Sequence, residues 1–260
     1  MSKHRPRKRF GQHFLSDPGV IQAIISAISP QHDDVIVEIG PGPGAITRPL
    51  AARAGHLHVV ELDRDLAAAL RNEFANTPNV TVHEADALSF DFSALGPRLR
   101  VVGNLPYNIS TPLLFHLLDH RDNIVDMHFM LQKEVVDRMA ARPGSKAYGR
   151  LGIMLGCHLD VEALFDVDRT AFDPPPAVTS AIVRLVPQSN PLPIDDQALL
   201  GRIVAEAFSK RRKTLRNALK NVAVVDELLA AGIDPGKRPE EVSIAAWIAL
   251  ANRIATRVQA

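Results

Sequence analysis

"DVIVEIGPGPGAIT" (residues 34–47) is the stretch that decides the fold. A short apolar run ends at Gly40, and Gly42 and Gly44 follow before a helix-forming segment begins. This order is typical of a buried parallel strand that turns tightly into a helix. Glycines at such a turn let the backbone approach a ligand at the start of the helix. The stretch predicts a nucleotide-like ligand, and the alternative is a Gly-Pro turn without a ligand.

The residues around this stretch alternate between strand patterns and helix patterns. Asp63 and Ser110 stand where N-caps of two of the helices are expected. Alternation at this spacing indicates βαβ units and a parallel sheet, so the predicted fold class is α/β. Strands are predicted at 34–40, 56–62, 79–86, 98–104, 125–132, 159–167 and 180–187, and helices at 45–54, 63–75, 110–120 and 133–141.

The last part of the chain has a different pattern. A proline-rich segment occupies residues 187–196, and only helical patterns follow it. We therefore predict a first domain at 1–190 and a small helical domain at 191–260. The predicted helices of this second domain cover 196–208, 211–222, 224–231 and 243–256.

The composition is that of a soluble globular protein. Of 260 residues, 46% are hydrophobic and 23% are charged, which suffices for a sizeable core. No run of about 18 apolar residues predicts a membrane span, and no apolar segment follows the basic start as in a secretory signal. Cys157 is the one cysteine, so we expect a small core residue, a reducing compartment and a cytoplasmic location.

Positive charge is concentrated in two short runs. Residues 3–9 contain five Lys and Arg residues and residues 210–213 contain four, while the other 21 face 29 acidic residues, a net charge of −8. Two basic patches on an acidic body predict a polyanionic partner, and the alternative is a solvated tail and a solvated helix face. In a helix, Arg212, Arg216 and Lys220 would share one face, which could lie along an RNA backbone.

Polar groups follow four successive predicted strands. Gly40, Glu61, Asp86 and Asn104 each stand at the carboxyl end of a strand. Since these ends meet at one edge of a parallel sheet, the series predicts an adenosine-shaped site. There Glu61 would accept hydrogen bonds from ribose hydroxyls and Asp86 from an exocyclic amine. For Asp63 and Asp86 a helix cap or turn is the alternative.

Seven motifs in order carry a family resemblance: "FGQHFL" (10–15), "EIGPGPGAIT" (38–47), "ELD" (61–63), "EAD" (84–86), "NLPY" (104–107), "FDPPPAV" (172–178) and "FSKRRKTLRNAL" (208–219). Together they cover nearly the whole chain and resemble the ribosomal RNA adenine dimethyltransferases. The similarity is strongest to the bacterial branch that dimethylates two adjacent adenosines near the 3′ end of small-subunit rRNA. The resemblance implies a class I, Rossmann-like methyltransferase domain with a mostly parallel seven-stranded sheet, and S-adenosyl-L-methionine as cofactor.

The resemblance also implies roles for single residues. His13 and Leu15 would contact the methionine end of the cofactor, and Gly40 would pack under it. The family most often has Asn where this chain has His13, although both side chains can form hydrogen bonds. Glu61 and Asp86 would bind the ribose and the adenine amine, and the RNA-binding residues would be Arg211, Arg212, Lys213, Arg216 and Lys220, helped by the basic N-terminal arm.

"NLPY" can supply the chemistry that adenine N6 needs, because the N6 lone pair is delocalised into the ring. The Asn104 side-chain oxygen and the Leu105 carbonyl can accept the two N6–H bonds and favour the developing positive charge. Pro106 has a fixed φ that can hold the direction of that carbonyl. Tyr107 can stack on the flipped base, and Phe172 resembles the aromatic that covers its other side. The alternative is a strand-end turn with a packed tyrosine.

The expected partner is 16S rRNA within the 30S subunit or its precursor, bound by a monomer without a metal or a membrane. One alternative is a large-subunit rRNA adenine methyltransferase of the antibiotic-resistance type. Another is a non-catalytic ribosome-assembly or transcription factor on the same fold. DNA adenine methyltransferases generally have a D/N-P-P-Y motif, and dinucleotide-dependent oxidoreductases give no account of "NLPY".

Overall fold

The computed structural model of the protein describes residues 13–106 and 109–259. They form two compact units. The first contains the residues up to Val136 together with Glu162–Pro187, and the second contains Asp137–Val161 and the residues from Gln188 onward. The second unit therefore includes a segment, 137–161, that the sequence pattern places in the first domain.

A seven-stranded sheet organises the first unit. Its strands are β2 (Val35–Ile39), β3 (His56–Glu61), β4 (Val80–Glu84), β5 (Leu99–Asn104), β6 (Ile124–Gln132), β7 (Leu159–Val167) and β9 (Ser180–Pro187). The strand order is β4-β3-β2-β5-β6-β9-β7, with parallel pairing from β4 through to β6 and antiparallel pairing of β9 with β6. This arrangement confirms the predicted α/β, Rossmann-like class.

The strand order reverses beside β2, which lies between β3 and β5. At such a switch point the loops after neighbouring strands diverge and leave a crevice at the carboxyl edge. A two-stranded ribbon of β1 (Phe14–Leu15) and β8 (Phe172–Asp173) is separate from the large sheet.

Helices connect the strands of the first unit: α1 (Pro18–Ile28), α2 (Thr47–Ala51), α3 (Arg64–Glu73), α4 (Ser110–Asp119) and α5 (Lys133–Met139). The predicted cap of α3 is confirmed, because the Asp63 side chain accepts from the Asp65 N–H. The predicted cap of α4 is wrong. Ile109 takes the cap position without a side-chain cap, its N–H donates to Pro106 O (3.1 Å), and Ser110 is the first residue of the helix.

The second unit is helical, with α6 (Arg150–Gly156), α7 (Gln197–Ser209), α8 (Leu215–Ala218), α9 (Val225–Ala230) and α10 (Ile244–Gln259). Tyr148 and Ile153 are fully buried in the same apolar cluster as Trp247 on α10, and Tyr148 Oη donates to Val242 O (2.9 Å). This shared core explains why 137–161 belongs to the helical unit. The expected core position of Cys157 is confirmed, since it is 1% exposed, and burial raises the pKa of its thiol to about 11.

The single helix predicted at 211–222 is wrong. Helix α7 ends at Ser209, the backbone at Thr214 is extended, and α8 has four residues. The Leu215 N–H donates to Lys237 O (2.8 Å) and the Arg216 N–H to Pro235 O (3.0 Å). Since the N–H groups at the start of α8 bond to another loop, a continuous helix from 211 would leave those loop carbonyls without donors.

As a result, Arg212, Arg216 and Lys220 do not share one helix face, although all three side chains are exposed. Among the helices in 13–106 and 109–259, none is long and apolar enough to cross a membrane.

Candidate active site

A cavity of about 360 Å³ opens at the carboxyl edge of β2, β3, β4 and β5, at the switch point of the sheet. The structure brings the described cofactor-site and catalytic-site candidates together on its wall. Tyr107 lies outside the described residues, as does the basic arm at 3–9. The candidates that line the cavity are His13, Leu15, Gly40, Glu61, Asp86, Asn104, Leu105, Pro106 and Phe172.

The glycine loop after β2 forms one side of the cavity. Gly40, Gly42 and Gly44 have φ values of 64°, 55° and 86°, a left-handed backbone that residues with a Cβ rarely adopt. A Cβ on Gly42 would also lie 3.2 Å from the Phe14 ring. The loop can therefore turn sharply at the edge of the cavity only with glycine at these positions.

Arg48 on α2 holds this loop in place. Its guanidinium donates to Pro43 O (2.9 Å) and Gly44 O (3.1 Å) and forms a two-bond pair with Glu73 on α3 (2.6 and 2.9 Å). A planar guanidinium suits such a fork. The hydrogen bonds from Arg48 to two carbonyls of the loop therefore fix the loop conformation.

Glu61 ends β3 and is 6% exposed. Its Oε1 accepts from the Asp63 N–H (2.8 Å) and its Oε2 from the Gly42 N–H (3.3 Å). Burial raises the pKa of the Glu61 carboxyl, and the backbone bonds from Asp63 and Gly42 oppose that rise. Because each carboxylate oxygen has a second lone pair, the fixed carboxylate can also accept from two neighbouring hydroxyls.

The β4 end presents Asp86, whose Oδ1 accepts from the Leu88 N–H (2.9 Å). This bond makes Asp86 a turn residue, as the alternative reading holds, and it also orients the carboxylate on the cavity wall. Leu62, 52% exposed, lines the same wall, where an apolar side chain can pack on a flat ring. The sequence pattern did not identify Leu62 as a cavity residue. The only signal for this role is its position between the two acids of "ELD", and that signal is weak.

Asn104 ends β5 and its Nδ2 donates to His13 O (3.3 Å). This bond engages the amide nitrogen with the protein, so the amide oxygen is the atom available to accept from a ligand. The Leu105 N–H donates to Met130 O (3.2 Å), which ties the residue after Asn104 to β6. A Cβ on Gly103 would come within 2.5 Å of Ile39 O, so glycine is required for β5 to approach β2 here.

The ribbon of β1 and β8 forms the remaining wall. Leu15 pairs with Phe172, and Phe14 pairs with Asp173. His13 Nδ1 also forms a 2.8 Å hydrogen bond with Pro174 O. This pairing joins two motifs that are more than 150 residues apart and places His13, Leu15 and Phe172 on one cavity.

Glu38 is a cavity residue that the sequence reasoning did not select. It is 2% exposed and lines the cavity from the end of β2. Burial raises the pKa of its carboxyl to about 7, with the nearby Thr47 hydroxyl opposing the rise and Glu61 adding to it. An acid inside the apolar strand "VIVEI" is the signal that could have identified it.

The donor and acceptor set fits an adenosine derivative with a positively charged group. Glu61 and Asp86 offer acceptors for hydroxyls and an amine, Leu62 offers an apolar face, and the buried Glu38 Oε2 has no hydrogen-bond partner among the described residues. Within 13–106 and 109–259, no three His, Cys, Asp or Glu side chains cluster so as to hold a metal ion.

Comparisons with known proteins identify the family of the chain. The model of the ribosomal RNA adenine dimethylase family matches residues 3–256. The chain is 56% identical to ribosomal RNA small subunit methyltransferase A of Thiobacillus denitrificans over 98% of its own length and 100% of that protein. It is also 56% identical to the protein of the same name from Pseudomonas syringae pv. syringae, covering 98% and 97% of the two chains.

Solved structures show the same fold over nearly the whole chain. The dimethyladenosine transferase from Plasmodium falciparum has a TM-score of 0.80 at 27% identity, covering 95% of this chain and 98% of that one. The 23S rRNA methyltransferase ErmE has a TM-score of 0.75 at 27% identity, covering 93% and 99%. The chain belongs to the ribosomal RNA adenine dimethylase family.

Proposed function

We propose that the protein transfers methyl groups from S-adenosyl-L-methionine to N6 of two adjacent adenosines in the 3′-terminal hairpin of 16S rRNA. The product would be N6,N6-dimethyladenosine at both positions, made on the 30S subunit or its precursor during ribosome biogenesis. One observation carries the proposal: Asn104-Leu105-Pro106 lies on the same cavity wall as Gly40, Glu61 and Asp86, which suits a methyl donor and an adenine acceptor side by side.

Six residues would contact the cofactor: His13, Leu15, Gly40, Glu61, Asp86 and Asn104, all of which line the cavity. Glu61 accepts from ribose hydroxyls with an already oriented carboxylate, Asp86 accepts from the adenine amine, and the Gly40 turn allows close backbone approach. His13 and Leu15 would border the methionine end. When bound, S-adenosylmethionine supplies an electrophilic methyl group on a sulfonium.

Asn104 and Leu105 would activate the acceptor. The Asn104 oxygen accepts one N6–H bond and the Leu105 carbonyl accepts the other, which draws the nitrogen lone pair out of conjugation and stabilises positive charge on N6. Pro106 fixes the chain direction after that carbonyl, and its own carbonyl is bound by the Ile109 N–H. Holding both reactants in one geometry supplies much of the remaining rate.

Aromatic stacking would hold the flipped base. Phe172 is 4% exposed and borders the cavity. It would therefore cover one side of the base with only the edge of its ring or part of the ring face. Tyr107, which follows Pro106 directly, is proposed to stack on the opposite side of the base.

The second unit, 191–260 in particular, is proposed to contact RNA through exposed basic residues. Arg212, Lys213, Arg216 and Lys220 are exposed and suited to phosphate contacts. Arg211 is partly committed to the protein, since it donates to Lys146 O (2.8 Å) and lies 3.6 Å from the Glu240 carboxylate. The N-terminal arm would add further phosphate contacts, and the protein is proposed to act as a monomer in the cytoplasm.

Methyl transfer to purified subunits tests the proposal. With labelled S-adenosylmethionine, 30S particles from cells that lack the modification should accept methyl groups and 50S particles should not. Transfer to 50S particles alone would favour the large-subunit alternative. Cofactor binding without transfer to either particle would favour a non-catalytic assembly or transcription factor.

A further inference from the structure

Glu38 is a buried acid that has no role in the proposed function. Its carboxyl is 2% exposed and forms part of the cavity wall. Its Oε2 has no hydrogen-bond partner in 13–106 and 109–259, and the same holds for the buried Thr47 Oγ1 at the start of α2. A buried polar atom without a partner is costly and calls for a proton, a water or a ligand.

The charges around Glu38 are predominantly negative. Glu61 at the end of β3 faces it and disfavours a second negative charge. Arg48 on α2 is the basic side chain that acts on it, but that guanidinium is already paired with Glu73. His13, which precedes β1, borders the cavity, and no described Lys or Arg lines it. The acidic lining residues are Glu38, Glu61, Asp63 and Asp86.

These surroundings favour a protonated carboxyl at neutral pH. Burial is the main cause, and it raises the pKa of Glu38 to about 7. Thr47 Oγ1 can bond to Glu38 in either state, because its hydroxyl can accept from a protonated carboxyl or donate to a carboxylate, and the second arrangement opposes the rise in pKa without removing it. A positive ligand in the cavity would reverse the preference, because an opposite charge stabilises the carboxylate.

We propose that Glu38 carries a proton in the cofactor-free protein and releases it to solvent when S-adenosylmethionine binds, so that the site distinguishes the positively charged methyl donor from S-adenosylhomocysteine. The inference rests on the proposed cofactor. The donor carries a sulfonium and a net charge of +1 at neutral pH, whereas the product carries a neutral thioether and no net charge. Glu38 would thus act as a specificity-determining residue that weakens product binding relative to donor binding at higher pH.

Calorimetric titration of the full chain tests this inference. Measurements at pH 7 in phosphate and in Tris, which differ in ionisation enthalpy, give the number of protons released. For S-adenosylmethionine we expect release of about half a proton and an affinity that rises about tenfold from pH 6 to pH 8, as linkage to one group with a pKa near 7 requires. S-adenosylhomocysteine should release few protons, with an affinity that changes less than about twofold.

Two variants locate the proton. Glu38→Gln keeps the shape and removes the ionisation, so proton release should disappear and the donor-to-product affinity ratio should become independent of pH. Glu84→Gln, at the end of β4 and outside the cavity, removes an equal charge and should behave as the wild type. If Glu38→Gln does not fold, the wild type still tests the inference, because the absence of proton release would overturn it and release of about half a proton at pH 7 would support it.

The outcomes separate the inference from the proposed function. Failure of S-adenosylmethionine to bind would contradict the proposed function. Binding with no proton release by the wild type, or with unchanged release in Glu38→Gln, would overturn the role of Glu38 and leave the proposed function standing.

Discussion

Asn104 is the side chain closest to the proposed chemistry. Its amide nitrogen is engaged with His13 O, which leaves the oxygen to accept from adenine N6. Asn104→Ala should lower the rate of methyl transfer by about 10²–10³-fold, the usual effect of losing one positioned polar group in a transition state. Single-turnover assays on 30S particles measure this rate, and calorimetry should show cofactor affinity changed much less.

Asn123→Ala is the matched control for Asn104→Ala. Asn123 donates to Gly96 O (3.4 Å) and does not line the cavity, so its loss should leave the rate near that of the wild type. Equal rates for the Asn104 variant and the wild type would remove Asn104 from the mechanism.

Glu38 also makes a prediction about stability. Its pKa in the folded protein, about 7, lies above its ordinary value of 4.5. The folded state therefore holds this proton more tightly, so its contribution to stability is present below pH 4.5 and is lost as pH rises through 7. Without cofactor, the free energy of unfolding of Glu38→Gln relative to the wild type should rise by about 2–3 kcal/mol between pH 5 and pH 8.

Urea unfolding of both proteins at four pH values measures this difference. A difference that stays constant from pH 5 to pH 8 would show that Glu38 is ionised in the folded protein.

At the scale of residues, the sequence pattern predicted the polar groups at the strand ends but not Glu38 and Leu62, which line the same cavity. Gly40, Glu61, Asp86 and Asn104 could be predicted to lie together because the ends of parallel strands meet at one edge of a sheet. Glu38 was not selected, although an acid inside the apolar strand "VIVEI" was a signal for it, because the pattern alone does not show that the side chain lines the cavity. The bond between Asn104 and His13 depends on tertiary contact, so it too was not predictable.

The pairing of β2 with β5 depends on one glycine. A Cβ at Gly103 would lie 2.5 Å from Ile39 O, a backbone atom that cannot move without distorting the sheet. Gly103→Ala should therefore lower the free energy of unfolding by roughly 1–3 kcal/mol and weaken cofactor binding. Thermal and urea unfolding, together with calorimetry, measure these effects.

Gly201→Ala on α7 is the control for Gly103→Ala, because it makes the same substitution where a Cβ has room. The nearest atom to its Cβ would be Met154 Cε at 3.7 Å, an ordinary contact. Alanine favours a helix interior over glycine by up to about 1 kcal/mol, so this variant should be as stable as the wild type or more stable. Equal destabilisation by both substitutions would contradict the packing account of Gly103.

At the scale of elements, local patterns succeeded for strands, both for the largely buried β9 and for β7, in which most residues are exposed or half-buried. Strands β7 and β9 begin and end at their predicted residues, 159–167 and 180–187. The pattern failed at 211–222, because backbone bonds from Leu215 and Arg216 to the loop at 235–237 override helix propensity. It also missed the ribbon of β1 and β8, since two-residue strands have no period to detect.

At the scale of the whole molecule, acidic side chains line the cavity of the first unit and exposed basic residues lie on the second unit. Arg212→Glu combined with Arg216→Glu should weaken binding to 30S particles by about tenfold or more and reduce the salt dependence, because phosphate contacts release counterions. Filter binding at several salt concentrations measures both effects. Cofactor affinity should remain that of the wild type.

Arg253→Glu provides a control for this charge reversal, since Arg253 is an exposed residue of α10 outside the basic run. It should bind 30S particles nearly as the wild type does. Unchanged binding by the double variant would exclude the 210–220 run as an RNA contact.

The two-unit division of the chain was only partly predictable. The sequence pattern places one boundary at 190/191, whereas the two compact units divide after Val136, Val161 and Pro187. The inclusion of 137–161 in the helical unit depends on the packing of Tyr148 and Ile153 with Trp247, a contact between segments about 100 residues apart. No local composition signals such a contact.

Mass mapping of methylated 16S rRNA tests the central claim most directly. The wild-type protein, S-adenosylmethionine and 30S particles from cells that lack the modification would be incubated together, and the rRNA digested and mapped. We predict N6,N6-dimethyladenosine at two adjacent positions of the 3′-terminal hairpin. No dimethyladenosine, under conditions in which an enzyme of known activity modifies the same particles, would contradict the account.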